Sequence, residues 1–368
     1  MPTPGALDGL LVADFTRVLA GPYATMLMAD LGATVVKVER PGAGDDTRGW
    51  GPPFAANGQA TYFQSVNRNK MSIGLDLSDA GDLTIARDLA AKAHVLVENH
   101  KPGGLTRFGL DYDAVARANP GIVYCSISGF GTDSDLPGYD LLVQAMGGLM
   151  SITGDTSPTK AGVAVVDVLT GLHAAVGILA ALQSGRGQHL EISLLGSLLS
   201  SLVNQSSGFV GAGVVPGLMG NAHPSIAPYE VYATADRPIV IAVGNDTQFA
   251  RLASVLGLPA TERYRTNTSR VAHRDDLKAD LEAVLRTRGA DQWQGLLTEA
   301  GIPCGSINDI GQAFALATEV GLQPVVDAAG TPTVANPVTY SQTPATYRSA
   351  PPDVDADRDR VIDLLERS

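Results

Sequence analysis

One carboxylate in the sequence, that of Asp167, stands where it could act as a nucleophile. It lies in the segment GVAVVDVLTGLHAAVG (residues 162–177), at the point where an apolar run meets a predicted helix. Apolar neighbours would desolvate the carboxylate, and helix amides could hold it ionised and aimed. The position also suits a purely structural carboxylate, because Asp is a preferred N-cap and complements the helix dipole. Position alone leaves both interpretations open.

Other reactive side chains indicate less chemistry. The six histidines show no spacing typical of metal ligands, so we expect no metal site. The two cysteines, Cys125 and Cys304, lie in the strand-like stretches IVYCSIS and IPCGSI, and we expect both to be buried, reduced thiols. No G-x-G-x-x-G motif follows the first predicted strand, which argues against a nicotinamide enzyme.

Charge and hydropathy limit the partners. The net charge is −12, without a run of Lys or Arg, which argues against nucleic acid or an anionic membrane as a partner. An anionic small ligand is still compatible, because it needs only a few local cations. The N-terminal residues show no signal-peptide pattern, and apolar stretches such as residues 174–182 are too short to span a bilayer. We therefore expect a cytoplasmic protein.

The first half of the chain alternates between strand-like and helix-like segments. Strands are predicted at LLVADF, TVVKVER, MSIGLDL, HVLVENH and IVYCSISGFG, with helices such as GPYATMLMADLGA and DLTIARDLAAKA between them. This order is typical of βαβ units, and it predicts an α/β fold with a large, open, Rossmann-like parallel sheet. Ligands bind such sheets at the carboxyl ends of the strands, so the turns that follow these strands are candidate binding segments.

The pattern changes after the middle of the chain. DLLVQAMGGLM and DVLTGLHAAVGILAALQSG predict apolar helices, and HLEISLLGSLLSSLVN predicts a strand that runs into a helix. PYEVYATADRPIVIAV predicts two strands joined by a turn, followed by helical stretches and the strand IPCGSIND. We therefore expect a large domain over residues 1–224, a smaller α+β domain over 225–325 and a C-terminal segment, 326–368, that returns to the large domain and ends in a short helix.

Six segments, in one order over residues 8–250, resemble the class III CoA transferase family, which includes formyl-CoA and carnitinyl-CoA transferases and the 2-methylacyl-CoA racemases. They are DFTRVLAGPYATMLMADLGATVVKVERPGAGDDTR, VNRNKMSIGLDL, VLVENHKPGGLTRFGLDYDAVARANPGIVYCSISGFG, GYDLLVQAMGGLM, VVDVLTGLHAAVGILAALQSGRGQHLEISL and PYEVYATADRPIVIAVGNDTQF. The resemblance aligns Asp167 with the family's nucleophile. It implies transfer of coenzyme A from an acyl-CoA to a free carboxylic acid through aspartyl anhydride and aspartyl-CoA thioester intermediates.

The resemblance also implies positions for the substrates and an assembly. Coenzyme A and acyl-CoA would be substrates, with no permanently bound cofactor, and the chain would form an interlocked homodimer. Arg40 and Arg107 are cations suited to the nucleotide phosphates, although each by itself could be a solvated surface charge. The positions that map onto family contacts to CoA are Val18, Leu19, Arg40, Leu75–Ser78, Asn99, His100, Arg107 and Phe108.

Tyr139 and Asp140 map beside the nucleophile and separate the branches of the family. Racemases have His where this chain has Tyr139, and a Tyr is a poor base for an α-proton at neutral pH. We therefore favour a CoA transferase over a racemase or epimerase. Asp246 lies near a third acidic site of the racemases and keeps that alternative open, as does a catalytically silent CoA-binding protein. The stretch GNDTQ has one Gly, so a glycine-rich lid is not expected, and the simplest interpretation is a helix N-cap at Asn245 or Asp246.

Overall fold

A computed structural model describes residues 4–259 and 261–367 of the chain. The described residues divide into two compact units. The first lies within Met1–Leu149, Lys160–Val215 and Gln323–Ser368, and the second within Met150–Thr159 and Pro216–Leu322. The domain boundaries at residues 225 and 326, which we expect from the sequence, stay a prediction.

The first unit is built on six strands and the helices that connect them. Its elements are β1 (Leu11–Phe15), α1 (Ala20–Asp30), β2 (Thr34–Glu39), α2 (Thr61–Gln64), β3 (Lys70–Gly74), α3 (Ala80–Lys92), β4 (Val95–Glu98), α4 (Tyr112–Ala118), β5 (Val123–Ser128), α5 (Asp140–Met146), α6 (Val165–Ser184), β6 (Gln188–Ser193), α7 (Leu194–Ser201) and α8 (Asn204–Ala212). The predicted strands of the first half, and the predicted helices between them, are present in the structure.

The six strands form one parallel sheet in the order β3-β2-β1-β4-β5-β6. The order reverses between β1 and β4, which places a crevice at the carboxyl ends of these two strands. The α/β fold class with an open, Rossmann-like parallel sheet is confirmed.

Alternating strand residues supply two apolar layers, one on each face of the sheet. Val12, Val35 and Val97 face the helices α1, α6 and α7, whereas Leu11, Val36 and Leu96 face α3 and α4. Each face of a central parallel strand is buried, which explains why these strands have continuous apolar sequences.

Helix α6 is the longest in the described part of the chain, with 20 residues. The apolar run is therefore longer than the stretch at residues 174–182 suggested. It is long and apolar enough to cross a membrane by length and composition, which alone is weak evidence. Val166, Ala174 and Ile178 on this helix are buried in the apolar layer that covers the sheet, an environment typical of a core helix.

The second unit contains a small sheet and five helices. Its elements are β7 (Tyr229–Tyr232), β8 (Ile239–Ala242), α9 (Asp246–Leu256), α10 (Asn267–Ala272), α11 (Arg274–Leu285), α12 (Ala290–Glu299), β9 (Cys304–Ser306) and α13 (Ile310–Glu319). The three strands are antiparallel in the order β7-β8-β9. This agrees with the α+β pattern expected here, although α10 and α13 have no counterpart in our prediction.

The C-terminal segment packs on the first unit. A hairpin of β10 (Val325–Ala328) and β11 (Thr331–Val334) is followed by an extended stretch and α14 (Arg358–Arg367). Arg348 donates to the carbonyls of Ala29 and Ala33 at the end of α1, and Val361 and Leu365 of α14 join the second apolar layer. The short terminal helix is present as predicted, whereas the hairpin is not anticipated by the sequence pattern.

Candidate active site

The predicted CoA positions lie at one edge of the large sheet. Val18 and Leu19 follow β1, Arg40 follows β2, Leu75 follows β3, and Asn99 with His100 follows β4. These four strands are neighbours in the parallel sheet, so their carboxyl ends share an edge. Arg107 and Phe108 lie farther along the chain, in a 3-10 turn before α4.

The loop between β1 and α1 is held by side chains at successive backbone groups. The Lys37 ammonium donates to the Thr16 carbonyl (2.9 Å). The Asn99 amide accepts from the Arg17 N–H (3.0 Å) and donates to the Arg17 carbonyl (2.7 Å). The Val18 N–H donates to the Asp45 carboxylate (3.2 Å). Asn99 therefore fixes the loop, in addition to lying where the resemblance implies a CoA contact.

Val18 has an unusual backbone conformation. Its φ is +70°, in the left-handed region that is unfavourable for a β-branched side chain. Such conformations persist where the surrounding structure imposes them, and they are frequent at functional sites. The hydrogen bonds on both sides of Val18 provide that constraint.

A buried cluster of charges lies beneath this loop. Lys37 bonds Asp45 (2.9 Å), and Lys70 bonds Asp14 (3.0 Å), with all four side chains essentially inaccessible. Burial alone would raise the pKa of Asp14, but the ammonium groups of Lys70 and Lys37 lower it to about 2. Burial lowers the pKa of Lys70 to about 8, whereas Asp14 and Asp45 raise the pKa of Lys37 above its usual range despite burial.

Sequence reasoning missed these four residues. Lysines in the strand segments TVVKVE and KMSIG have the pattern of an outward-facing charge, because Lys is almost never fully buried unless it is paired. Asp14 in the apolar strand LVADF was the available signal, since a carboxylate there requires a buried partner.

Asp167 is the third residue of α6, and its side chain is mostly buried, with 9% of the residue exposed. The residue before the helix is Ala164, which supplies no side-chain cap. The N-cap interpretation of Asp167 is therefore wrong, because the N-cap position is Ala164, three residues before Asp167. The first turn of α6 packs near the loop after β1, where Leu19 and Val18 belong to one apolar cluster with Ala164 and Val168.

Asp140 takes the place of the missing cap. It is the first residue of α5, and its Oδ1 accepts from the backbone N–H of Val166 (2.8 Å) and of Asp167 (3.2 Å). Its Oδ2 accepts from the Gln144 amide (2.6 Å). The structure therefore brings Asp140 directly to the start of the helix that carries Asp167, as the resemblance implies.

The environment of Asp167 favours its neutral form. Burial and the neighbouring Asp140 carboxylate together raise the pKa of Asp167 to about 7. The Tyr62 phenol lies in the same cluster, and burial, Asp167 and Asp140 raise its pKa to about 12. At neutral pH the site therefore contains a carboxyl group that is more protonated than an ordinary Asp and a phenol that keeps its proton.

The remaining predicted positions differ in accessibility. Tyr139 immediately precedes α5, and 62% of it is exposed. Arg40 is exposed and pairs with Asp46 (2.5 Å). Arg107 lies over the ring of Phe108, 4.5 Å from its centroid. Leu75 is buried, and its N–H donates to the Glu39 carbonyl.

A cavity of about 300 Å³ lies beside the predicted CoA positions. It opens over the carboxyl ends of β4 and β5 and is lined by Glu98, His100, Ser126 and His189 and by the loop 101–106. Burial and the nearby Arg17 lower the pKa of His100, so this imidazole is neutral at pH 7. The His100 side chain therefore contributes no charge toward a nucleotide phosphate.

In the second unit, the stretch GNDTQ begins α9. The side chain of Asn245 accepts from the Gln248 N–H (2.9 Å), which confirms the helix-cap interpretation at Asn245. Asp246 pairs with Arg270 (2.7 Å), whose side chain is fully buried. The negative charge of Asp246 therefore neutralises the buried guanidinium of Arg270.

The thiols and possible metal ligands add no further chemistry. Cys125 is buried as predicted, whereas Cys304 is only partly buried because β9 lies at an edge of its sheet. Among residues 4–259 and 261–367, no three His, Cys, Asp or Glu side chains cluster as metal ligands do.

Comparison with known proteins adds to this geometry. The model of CoA-transferase family III matches residues 7–358. A succinate–glutarate CoA-transferase of Agrobacterium fabrum is 43% identical over 98% of this chain and 96% of its own length. An acetyl-CoA:oxalate CoA-transferase of Acetobacter aceti is 40% identical over 92% of this chain and 90% of its own length. A crystal structure of a CAIB/BAIF family protein from Brucella suis superposes with a TM-score of 0.87 at 38% identity, covering 98% of this chain and all of the other.

These matches extend over nearly the whole chain, including the residues after 250, which lie beyond the six segments. The relatives are named as transferases, which favours CoA transfer over the racemase alternative. The chain belongs to CoA-transferase family III and is a class III CoA-transferase enzyme that acts on CoA thioesters.

Proposed function

We propose that Asp167 is the nucleophile of this transferase and that the reaction proceeds through covalent aspartyl intermediates. The observation that carries the proposal is the environment of this one carboxylate. It is buried, lies in the first turn of α6 and has a pKa raised to about 7 by burial and by Asp140. A carboxylate that is poorly solvated and still ionisable near neutral pH is a competent nucleophile toward a thioester.

The chemistry balances with one carboxylate and no added reagent. The Asp167 carboxylate attacks the thioester carbonyl, which forms a mixed anhydride and releases CoA thiolate. The thiolate attacks the Asp167 carbonyl, giving an aspartyl-CoA thioester and the free donor acid. The acceptor carboxylate then attacks that thioester to form a second anhydride, and the thiolate attacks its acyl carbonyl, regenerating Asp167 and yielding the new acyl-CoA.

We infer that donor and acceptor are short dicarboxylic acids. Relatives from Agrobacterium fabrum and Mus musculus, each 43% identical, are named for transfer between succinate and glutarate. A relative from Haloarcula hispanica, 38% identical, is named a succinyl-CoA:mesaconate CoA-transferase. The acids in all three names carry two carboxylates, so we expect succinyl-CoA to be a donor.

The loops at the carboxyl ends of β1–β4 are the proposed site for CoA. Val18, Leu19, Asn99 and His100 would line the path toward Asp167, with Leu75 and Phe108 beside it. Arg40 and Arg107 are exposed cations that could reach phosphates. Tyr139 and Asp140 flank the nucleophile. We propose no permanently bound cofactor and a cytoplasmic, interlocked homodimer.

Trapping with hydroxylamine tests the proposal. The enzyme is incubated with succinyl-CoA, treated with hydroxylamine and digested, and the peptides are analysed by mass spectrometry. We expect a hydroxamate at Asp167 that forms only in the presence of succinyl-CoA. The Asp167→Ala variant should bind CoA in calorimetry but lose transfer to glutarate. Full transfer by this variant would show that another group is the nucleophile.

A further inference from the structure

Helix α6 has no side-chain cap of its own. The residue before it, Ala164, has no side chain that could accept a hydrogen bond. Asp167, in the first turn, is of a type that commonly binds the free amides of a helix start. In the described part of the chain, however, its carboxylate accepts no hydrogen bond, and its pKa is governed by burial and charge alone.

Asp140 reaches the free amides from a different helix. One carboxylate oxygen accepts from both Val166 and Asp167. Gln144, one turn farther along α5 and 1% exposed, donates to the other oxygen. The side-chain amide oxygen of Gln144 accepts from the Ala161 N–H (2.8 Å), so α5 also binds the segment just before α6.

We propose that Asp140 is a positioning residue for the nucleophile. It occupies the amides at the start of α6 and so keeps the Asp167 carboxylate unbound and turned toward the substrate. The inference rests on the proposed function of Asp167 and adds the group that makes that carboxylate reactive. Asp140 does not touch the reacting atoms in this scheme, which distinguishes it from a base for an α-proton.

The electrostatics of the site support these separate roles, in which Asp140 binds the helix amides and Asp167 reacts with the substrate. Helix amides normally stabilise a nearby carboxylate as an anion, which lowers both its pKa and its nucleophilicity. Here Asp140 uses those amides, and its charge instead raises the pKa of Asp167. The phenols of Tyr62 on α2 and Tyr23 on α1 lie in the apolar cluster that includes Val168 of α6, and the Asp45 carboxylate also acts on Tyr62. The charge that acts on Asp167 itself is that of Asp140.

Two substitutions separate charge from position. Asp140→Asn keeps an acceptor oxygen for the amides and removes the charge. Asp140→Glu keeps the charge, but its extra methylene displaces the oxygen from the two amides. Asp309→Asn is the matched control, because Asp309 caps α13 in the second unit by accepting from Gln312 (2.8 Å).

The readout is independent of turnover. A carbodiimide with an added amine labels protonated carboxyl groups, and trypsin cleavage after Lys160 separates the peptides of Asp140 and Asp167. The labelling of Asp167 is measured from pH 4 to 9 in each variant. We expect a midpoint near pH 7 in the wild type and in Asp309→Asn. In Asp140→Asn the midpoint should fall by at least about one pH unit, with at least roughly fivefold less labelling at pH 7.

The kinetics complete the test. Asp140→Glu should keep the midpoint near pH 7 and lose at least roughly tenfold in kcat, because a displaced carboxylate no longer fixes the start of α6. Wild-type midpoints and wild-type kcat in both variants would overturn the proposal. If Asp140→Asn does not fold, Asp140→Glu decides the matter alone: unchanged kcat rejects a positioning role. The two proposals can also fail separately. If the wild-type enzyme forms no hydroxamate at Asp167 but the labelling midpoint of Asp167 shifts in Asp140→Asn, Asp167 is not the nucleophile, whereas the effect of Asp140 on its pKa stands.

Discussion

At the scale of single residues, Asp167 as the proposed nucleophile has to satisfy two opposed demands. A nucleophilic carboxylate must be ionised, yet it must also be poorly solvated, and burial makes ionisation costly. The fold resolves this by burying Asp167 beside Asp140 and raising its pKa to about 7. Because burial disfavours the ionised carboxylate, Asp167 should lower the free energy of unfolding at neutral and alkaline pH.

The first prediction concerns that cost in stability. The pKa of Asp167 in the folded protein is raised above its ordinary value of 3.8. The contribution of the protonated side chain to the free energy of unfolding is therefore complete below pH 3.8 and is lost as pH rises through 7. Asp167→Asn carries no charge and escapes this loss. Its gain in unfolding free energy over the wild type should be larger at pH 8 than at pH 5, by about 2 kcal/mol. Urea denaturation at both pH values measures this, and an equal gain at both would contradict the raised pKa.

The second prediction concerns activity. Because attack requires the Asp167 anion, kcat/KM for succinyl-CoA should rise with pH through a midpoint near 7 and level off above it. Initial rates at a fixed, saturating glutarate concentration from pH 5 to 9 give the profile. A flat profile over this range would show that Asp167 is not the titrating group.

Part of the residue-level picture was accessible from the sequence. The resemblance carried by the ordered motifs predicts Asp167 as the nucleophile and Asp140 beside it. The capping arrangement was not accessible, because Asp140 and Val166 are 26 positions apart and their bond depends on how α5 meets α6. The same holds for Lys70 and Asp14, which are 56 positions apart.

At the scale of elements, the loop between β1 and α1 links the buried charges to the site. Asp45 is central because it bonds both the Lys37 ammonium and the Val18 N–H. The Lys37–Asp45 ion pair is buried, so the cost of removing both charges from water offsets much of their attraction. The pair therefore contributes more to fixing the loop geometry than to stability. The strained conformation of Val18 depends on that geometry.

The third prediction tests this link. Asp45→Asn should weaken the hydrogen bond from the Val18 N–H, so that Val18 relaxes out of its left-handed conformation. The KM for succinyl-CoA should then rise by roughly tenfold. Val18→Gly should partly restore the KM in the double variant, because glycine adopts a φ near +70° without strain. Steady-state kinetics of both single variants and the double variant form the cycle.

The single variant Val18→Gly is the reference in that cycle, because it removes the side chain without touching the charges. If the effects of Asp45→Asn and Val18→Gly simply add, the two residues act independently and the loop account is wrong. Thermal melts of all three variants identify any effect that arises from global destabilisation.

Most elements could be predicted from their periodicity, and the exceptions have physical causes. The buried strands β1, β2, β4 and β5 are continuous apolar runs between turn residues, which makes them visible. The hairpin of β10 and β11 contains Pro332 and alternates weakly, and α13 has no fully buried residue. Their sequences therefore show little of the pattern that core packing imposes.

At the scale of the whole molecule, several large apolar side chains on and after α6 and α8 are exposed. Val176 on α6 and Phe209 and Val210 on α8 are exposed by 67%, 57% and 83%. Val214 and Val215, just after α8, are exposed as well. Large exposed apolar patches on soluble chains mark interaction surfaces. A second copy of this chain is the occupant that the proposed homodimer supplies.

The fourth prediction follows from this surface. Sedimentation velocity at micromolar concentration should give a single species with the mass of two chains. Phe209→Asp with Val210→Asp should shift it toward monomer, because two charges would be buried at the interface. Glu299→Gln, at an exposed residue that ends α12 in the second unit, is the control that should leave the dimer intact. A wild-type monomer under these conditions would contradict the assembly.

The central claim is that Asp167 becomes covalently bonded to both acids in turn, and an oxygen label tests it most directly. In the proposed cycle one oxygen of the acceptor acid stays on Asp167 and leaves with the next donor acid. With glutarate labelled with oxygen-18 and unlabelled succinyl-CoA in ordinary water, we predict label in the Asp167 peptide and in released succinate. Succinate and an Asp167 peptide that stay unlabelled, while glutaryl-CoA accumulates, would show that CoA passes without an aspartyl intermediate.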